Sequence, residues 1–312
     1  MDGSGLAALA ADGWVGIALL ALLGFVLGFA LNHGSICTVI ATRELIAEKR
    51  PARFIALLEC AVWAGLVYAA LGVSPTMQQG WSPLAWLVPA AILFGIGIYV
   101  NGSCVFGSVG HFGNGEIDFG FTFLGIAAVV SFETLFGPVS GQPPASGSLK
   151  LGPVILAIIL LALLSVRFGV SRRAESNYPR LMLAMAAIGI AFTILAIYAP
   201  RFSITKSLGS IVSIPIAGTA ISVSMFGGSL VSARFRMRRF ELKWPTLRGI
   251  ARRTLGGVLM GLGALLIPGG NDTLLMIGFP MGAWQAALAY LLLVAVLATL
   301  IARFGSLTRA WS

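Results

Sequence analysis

Nine apolar stretches of 13 to 26 residues follow one another along the chain, and they limit the fold to a membrane-embedded bundle of helices. Hydrophobic residues make up 58% of the 312 residues and charged residues only 10%, which is outside the balance of soluble domains. Because a backbone in lipid must satisfy its own hydrogen bonds, each stretch is predicted to be helical. The nine predicted spans are Trp14–Asn32, Phe54–Leu71, Leu84–Val100, Phe119–Phe136, Leu151–Phe168, Leu181–Ala199, Leu208–Ala233, Leu255–Ile267 and Ala283–Ala302.

The net charge of +10 is concentrated in loops, which indicates membrane topology rather than binding to nucleic acid. Lys and Arg cluster after the first span, between the fifth and sixth, and between the seventh and eighth, whereas the loops at 74–83 and 137–150 hold one Lys between them. Since cytoplasmic loops carry the excess of Lys and Arg, the pattern predicts an N-terminus outside and a C-terminus in the cytoplasm.

Several kinds of chemistry have no support in the residue pattern. Three cysteines and two histidines show no spacing typical of a metal site or of a disulfide framework, so neither a metal nor a cofactor is predicted. The chain also lacks the G-x-x-x-x-G-K-[ST] motif of ATPases. These observations favour a function other than that of an enzyme.

Two glycine-rich breaks interrupt apolar sequence at matching places in the two halves of the chain. The first, FGIGIYVNGSCVFGSVG, covers Phe94–Gly110, and the second, MGLGALLIPGGNDTLLMIG, covers Met260–Gly278. Each contains a G-x-G pair followed by a triplet with a polar end, GSC in the first and GGN in the second. Backbone groups freed at membrane depth need partners other than water, and paired breaks of this kind are typical of a transporter's binding site.

The spacing of the breaks predicts two related halves of opposite orientation. Cys104 and Asn271 are 167 residues apart, and the same shift places span one on six, three on eight, four on nine and, more loosely, two on seven. The charge pattern has span three running inward and span eight running outward, so the repeats are inverted. The predicted organisation is one membrane domain over 1–312, with a first repeat at 1–137, a linker containing span five at 138–178, and a second repeat at 179–312.

Three side chains near the irregular segments are candidates for binding an anion. Cys104 lies where a short helix is predicted to start, and helix N-termini favour negative charge. Asn271 offers two donors and an acceptor at the mirror position, and Cys37 follows the NHGSI segment after span one. The alternatives are helix packing for the cysteines and an ordinary turn outside the membrane for Asn271. The candidate substrate-binding residues are Cys37, Gly102, Ser103, Cys104, Gly270 and Asn271.

The remaining polar residues within or near spans are given structural interpretations. Cys60 lies in mid-span with no break nearby and is predicted to pack against other helices. Glu59 either pairs with a basic residue near the cytoplasmic rim or marks a polar pathway. Asp272 is predicted to lie at the rim or to have a partner such as Arg201, and Glu133 to lie near the outer end of span four.

These segments together resemble the YeeE/YedE family of bacterial inner-membrane sulfur-compound transporters, whose studied members take up thiosulfate. The resemblance covers most of the chain and depends on HGSIC near the N-terminus, the GxG…GSC…G run that ends near Gly115, and the GxG…GGN…G run near the C-terminus. It implies inverted repeats whose re-entrant short helices and loops form an hourglass. It also implies cysteines that pass an anion along through S–H···S hydrogen bonds; the family's cysteines match Cys37 and Cys104, whereas the third falls on Asn271.

The predicted function is an inner-membrane uptake permease for a small sulfur-containing anion, with thiosulfate as the leading candidate. Asn271 in place of a thiol, and GSC where GGC is usual in the family, leave sulfite or another oxidised sulfur species as alternative substrates. Two other functions stay open. One is a membrane-embedded thiol protein that hands sulfur or redox equivalents to a cytoplasmic partner through Cys37 and the basic Arg234–Arg253 loop. The other is a partner subunit without transport. The predicted partners are the sulfur anion, the lipid bilayer and, in the thiol-protein alternative, a cytoplasmic sulfur-handling protein.

Overall fold

The computed structural model describes residues 13–77, 80–136, 145–146, 153–171, 178–199, 203–205, 216–236 and 240–305. Arg201 and the side chain of Glu133 lie outside the described part of the chain. The described residues are mainly helical, apart from a two-residue strand β1 (Thr76–Met77) that pairs antiparallel with β2 (Ala145–Ser146). The helices are α1 (Trp14–His33), α2 (Thr38–Ala47), α3 (Ala52–Leu71), α4 (Leu84–Asn101), α5 (Val105–Gly113), α6 (Gly120–Phe136), α7 (Pro153–Ser171), α8 (Tyr178–Tyr198), α9 (Ile216–Arg236), α10 (Leu247–Leu266), α11 (Asn271–Thr273) and α12 (Trp284–Phe304), with a 3-10 turn at Ile117–Phe119 and a π turn at Leu274–Gly278.

The helices make this chain a multi-pass membrane protein. Within the described residues, five helical segments are long and apolar enough to cross a bilayer, and a sixth is added if α10 and the Asn271–Gly278 segment, bent by 48°, count as one span. A helix is present at each of the nine predicted positions, but over the described residues α6, α7 and α9 are not among the segments long and apolar enough to cross a bilayer. The complete set of nine spans therefore stays a prediction.

Glycines allow the backbones of neighbouring helices to come into direct contact. A methyl group on Gly28 of α1 would lie 1.8 Å from the carbonyl oxygen of Met225 in α9. Likewise, a methyl group on Gly97 of α4 would lie 2.7 Å from the backbone nitrogen of Met260 in α10. Since apolar side chains gain little by leaving lipid for one another, such close approach is what holds membrane helices together.

Both predicted breaks are present as interruptions of a helix. The first follows α4, which ends at Asn101, and Gly102 has a left-handed φ of 77°. The second follows α10, and Gly269 has a φ of 79°. These two glycines are 167 residues apart in the sequence, the same shift that relates Cys104 to Asn271. A left-handed residue strongly favours glycine, because a Cβ there would clash with the following carbonyl oxygen.

A buried ion pair connects α3 to α7. Glu59 Oε2 lies 2.9 Å from Arg167 Nη1, and both side chains are completely buried. Of the two interpretations given for Glu59, the structure shows ion pairing, and its partner Arg167 lies four residues before the end of α7. The neighbouring Cys60 is also buried, and its Sγ contacts Met185 Sδ at 3.2 Å, in keeping with a packing role.

Candidate functional site

The first part of the site forms where the loop after α1 meets the break between α4 and α5. Cys37 Sγ lies 3.4 Å from Ser103 Oγ. The backbone N–H of Thr38 donates a hydrogen bond to Cys104 Sγ, also at 3.4 Å. Cys37, Ser103 and Cys104 are fully buried, and both cysteines are free thiols. The structure thus brings together three of the predicted site residues from segments about 66 residues apart.

The Cys37 thiol fits against α5 because this helix has a glycine, Gly107, at the point of contact. Cys104 is the N-cap residue of the nine-residue helix α5, which confirms the predicted start of a short helix after the break. A methyl group on Gly107, one turn into α5, would lie 2.7 Å from Cys37 Sγ and 2.3 Å from Ser103 Oγ. Glycine at this position therefore makes room for the Cys37 thiol.

Asn101 holds the first break in place, a role that the sequence analysis missed. Its Nδ2 donates to the backbone oxygen of Ser103 at 2.7 Å and to Ser108 Oγ at 2.9 Å. Its Oδ1 accepts a hydrogen bond from Thr122 Oγ1 at 2.7 Å. The amide is thereby fixed on three sides, and the GSC triplet is clamped to α5 and α6. The sequence does contain a signal for this role, since Asn101 is a polar amide in an apolar run and directly precedes the glycine of the break.

The second break presents a buried amide that has no hydrogen-bond partner among the described residues. Asn271 is fully buried, and among the described residues neither its Nδ2 nor its Oδ1 makes a hydrogen bond. Leaving a buried polar group unpaired costs about 1–3 kcal/mol, so such a group is a candidate for binding a ligand. The preceding Gly270 allows this segment to pack directly against Thr205, because a methyl group on Gly270 would lie 2.1 Å from Thr205 Oγ1. Helix α11, which begins at Asn271, contacts α5, so the two breaks adjoin.

Of the two interpretations given for Asp272, a rim position or a partner, the structure shows partners within the protein. The carboxylate is completely buried and accepts three hydrogen bonds from one short segment of chain. The donors are Ser203 Oγ at 3.0 Å, the Ile204 backbone N–H at 2.8 Å and Thr205 Oγ1 at 2.8 Å. These donors stabilise the negative charge inside the protein, so Asp272 anchors the 203–205 segment beside the second break.

Buried hydroxyls surround the thiols, and the sequence analysis did not single them out. Thr38 and Thr42 lie one turn apart in α2, and Tyr290 lies in α12, which packs against α2. The hydroxyls of Thr38 and Tyr290 are neighbours, but none of the three makes a hydrogen bond of good geometry with a described residue. The Tyr290 hydroxyl is also within electrostatic range of Cys37 and Cys104. The hydroxyl groups of Thr38 and Tyr290 therefore lie near the thiols and add polar groups to the site.

Comparison with known proteins identifies the family to which this arrangement belongs. The sequence pattern of the sulphur transport family matches residues 33–299, a stretch that begins in the HGSIC segment and includes both breaks. The chain belongs to this family. It is also 23% identical over 340 residues to the thiosulfate transporter TsuA of Spirochaeta thermophila, in an alignment that covers 96% of this chain and 98% of that protein. The family resemblance predicted from the two breaks and HGSIC is confirmed, and the family comprises transporters rather than enzymes.

In this sulphur transport family member, some basic residues near α10 are held by carboxylates of the same chain. Glu116 contacts His111 Nδ1 at 2.9 Å and Lys243 Nζ at 3.0 Å. Burial alone would raise the pKa of the Glu116 carboxyl, but these two contacts lower its pKa to about 2. Similarly, Arg253 Nε lies 3.1 Å from Asp118 Oδ2. These internal pairs occupy part of the basic Arg234–Arg253 segment that one alternative function assigned to a partner.

Cys37 is shielded from solvent by the described residues around it. Its side chain is fully buried beneath α5, which disfavours the transfer of sulfur from this thiol to a cytoplasmic protein. Over the part of the chain that the structure describes, no group of three His, Cys, Asp or Glu side chains is close enough to hold a metal ion. The family member thus presents two thiols, an amide and several hydroxyls, a set suited to hydrogen bonding with an anion.

Proposed function

We propose that this chain is an inner-membrane uptake permease for thiosulfate and that the anion passes between the two breaks. The observation that carries the proposal is the buried, unpartnered amide of Asn271, on a segment in contact with the helix that begins after Cys104. Membership of the sulphur transport family and the relation to a thiosulfate transporter support this choice of anion.

The proposed path replaces the hydration of the anion by weak donors. Thiol S–H groups are polarizable and suit the terminal sulfur of thiosulfate, whereas the amide N–H groups of Asn271 suit its oxygens. No Lys or Arg side chain is required at the narrow point, and a fixed cation there would hold a dianion too tightly. Conduction needs binding that is strong enough for entry and weak enough for release. Cys37, Cys104 and Asn271 form this relay, with Gly102, Ser103 and Gly270 shaping the backbone around it.

Equivalent helix contacts in the two halves support the proposed inverted repeat. In the proposed repeat α1 is equivalent to α8 and α3 to α9, and the α1–α9 contact matches the α8–α3 contact. Likewise α4 is equivalent to α10 and α6 to α12, and the α4–α12 contact matches the α10–α6 contact. Helix α5 contacts α9 as the π turn contacts α3. The matching left-handed glycines, Gly102 and Gly269, support the same relation. In the proposed arrangement nine spans form four plus one plus four, with α7 as the linker and the termini on opposite sides, as the loop charges require.

The proposal predicts that cells without their own sulfur-anion importers gain thiosulfate uptake when they express this chain. We expect saturable uptake of ³⁵S-labelled thiosulfate, with a control strain carrying the empty vector showing background only. Unlabelled sulfite and sulfate, added in excess, establish which anions compete. Absence of uptake by protein that is inserted and abundant in the membrane would contradict the choice of thiosulfate.

Changing Asn271 to Asp tests the amide at the second break. The substitution keeps the shape of the side chain but removes two donors and adds a negative charge, so we expect uptake to fall by about tenfold or more, equivalent to at least about 1.4 kcal/mol. Asn271→Cys, which restores a neutral donor of the family type, is the matched control and should stay within about threefold of wild type. Uptake and membrane abundance are measured together. Equal uptake by Asn271→Asp and wild type would place the amide outside the path.

A further inference from the structure

Three arginines from three different helices converge on the loop between α1 and α2, directly before Cys37. Arg180 of α8 donates from Nε and Nη2 to the His33 carbonyl oxygen, at 3.0 and 2.7 Å. Arg53 of α3 donates from Nη1 to the Ser35 carbonyl oxygen at 3.0 Å. Arg236 of α9 donates to Ser35 Oγ and, at 3.0 Å, to Asn114 Oδ1.

The positive charges in this cluster are close enough to repel one another. Arg180 and Arg53 are both within electrostatic range of Arg236. Glu44 Oε2 pairs with Arg53 Nε at 3.0 Å, whereas the hydrogen bonds of Arg180 go to a carbonyl oxygen and no described carboxylate lies against it. Like charges gathered in a half-buried place are destabilising unless an anion joins them.

Donors in the cluster remain available for such an anion. A guanidinium has five N–H groups, and Arg180 uses two of them. The Nδ1 atom of His33 is buried and has no hydrogen-bond partner among the described residues. The His33 ring is stacked on Phe29 with 5.4 Å between the ring centroids, which fixes its orientation. An unpaired ring nitrogen next to a guanidinium is a second sign of a missing ligand, independent of the charge excess.

We propose that Arg180, Arg236 and His33 form a binding site for a small divalent oxyanion at the end of α1, a few residues from Cys37. The planar guanidinium fork matches the oxygens of sulfate-like and phosphate-like groups. A role for this site in transport, as the place that receives the anion after Cys37, rests on the proposed function. Binding of the anion to the three side chains does not depend on that function. The same chemistry also suits the phosphate of an anionic lipid headgroup, and the experiment separates the two sources.

Arg180→Gln is the decisive substitution. Glutamine can still donate a hydrogen bond to the His33 carbonyl, so a role confined to closing the end of α1 is largely kept while the charge is removed. The matched control is Arg50→Gln, which removes one charge from an exposed arginine paired with Glu48 in the loop between α2 and α3. Arg236→Gln serves as a second test variant if Arg180→Gln yields too little folded protein.

The measurement is the thermal unfolding midpoint of the purified protein in neutral detergent. Sodium thiosulfate, sulfate or phosphate is titrated against sodium chloride of equal ionic strength. We expect the divalent anions to raise the midpoint of wild type and Arg50→Gln, with an apparent Kd at least tenfold weaker in Arg180→Gln. An equal rise of the midpoint in wild type, Arg50→Gln and Arg180→Gln would contradict the proposed anion site.

A parallel series replaces the salt by mixed micelles containing phosphatidylglycerol or phosphatidylcholine. Stabilisation by phosphatidylglycerol that depends on Arg180, with no response to the small anions, would overturn the small-anion proposal in favour of a lipid headgroup. A response to the anions in protein that shows no uptake would leave the site intact and count against the proposed function alone. If uptake depends on Cys104 but anions stabilise Arg180→Gln as much as wild type, the proposed function stands and the anion site is overturned.

Discussion

Replacing Cys104 with alanine lowers thiosulfate uptake by about tenfold or more and leaves the amount of folded protein in the membrane nearly unchanged. Cys104 is the N-cap residue of α5, but its thiol makes no capping hydrogen bond; the thiol accepts a weak hydrogen bond from the Thr38 backbone N–H. Its loss therefore costs little stability, on the order of 1 kcal/mol for a single hydrogen bond. The same loss removes a donor from the narrowest part of the proposed path. Uptake rates are divided by the amount of monodisperse protein extracted from the membrane.

Cys60→Ala is the matched control for this experiment. Cys60 is as completely buried as Cys104, but it lies within the continuous helix α3 and its sulfur contacts Met185. We expect Cys60→Ala to keep uptake within about twofold of wild type, since it changes packing alone. Equal uptake by the Cys60→Ala and Cys104→Ala proteins would contradict the role of the Cys104 thiol in conduction.

Replacing Glu59 with leucine lowers the free energy of unfolding by about 3–5 kcal/mol, because it leaves the Arg167 guanidinium buried without its carboxylate. The two side chains are completely buried and their charged atoms lie 2.9 Å apart. The pair joins α3, which contacts α8, to α7, which lies between the two halves of the sequence. The thermal unfolding midpoint in a fixed detergent, with urea unfolding of the same samples, measures the change.

The double variant Glu59→Leu/Arg167→Met tests whether the loss comes from the unpaired charge. Replacing both partners with apolar side chains of similar size removes the cost of burying either charge, so most of the stability should return. The two charged groups pair with each other between α3 and α7, so we expect the double variant to retain uptake as well. A double variant no more stable than Glu59→Leu would show that the two residues do not stabilise the fold as a pair.

The positions of the two breaks could be predicted from the sequence because the signal there is local. A glycine triplet in an apolar run interrupts a helix wherever the run folds, and the left-handed conformations of Gly102 and Gly269 need no distant partner. A shared role for Cys37 and the first break was implied only by a resemblance, because the spacing of two segments 66 residues apart does not report the distance between them.

Residues whose roles depend on distant partners could not be predicted. Asp272 would repel an anion if it were exposed, and only the donors of the 203–205 segment, 67 to 69 residues earlier, make it a buried anchor. Arg180 and Arg236 were interpreted as topology signals, and they do lie near helix ends. Their convergence on one loop depends on how α1, α8 and α9 pack, and the positions of charges in the sequence do not predict that packing. The position of Tyr290 could not be predicted for the same reason, because the sequence shows it only as a single hydroxyl group in an apolar helix.

The most direct test of the account is the flux of ³⁵S-thiosulfate into liposomes that contain only the purified protein. Wild type, Cys104→Ala and protein-free liposomes are compared at matched protein density, with the internal volume checked by a trapped dye. We predict saturable entry with wild type at least about tenfold above protein-free liposomes, and entry with Cys104→Ala close to that background. Wild-type flux equal to that of protein-free liposomes, in correctly folded protein, would contradict the claim that this chain by itself conducts thiosulfate.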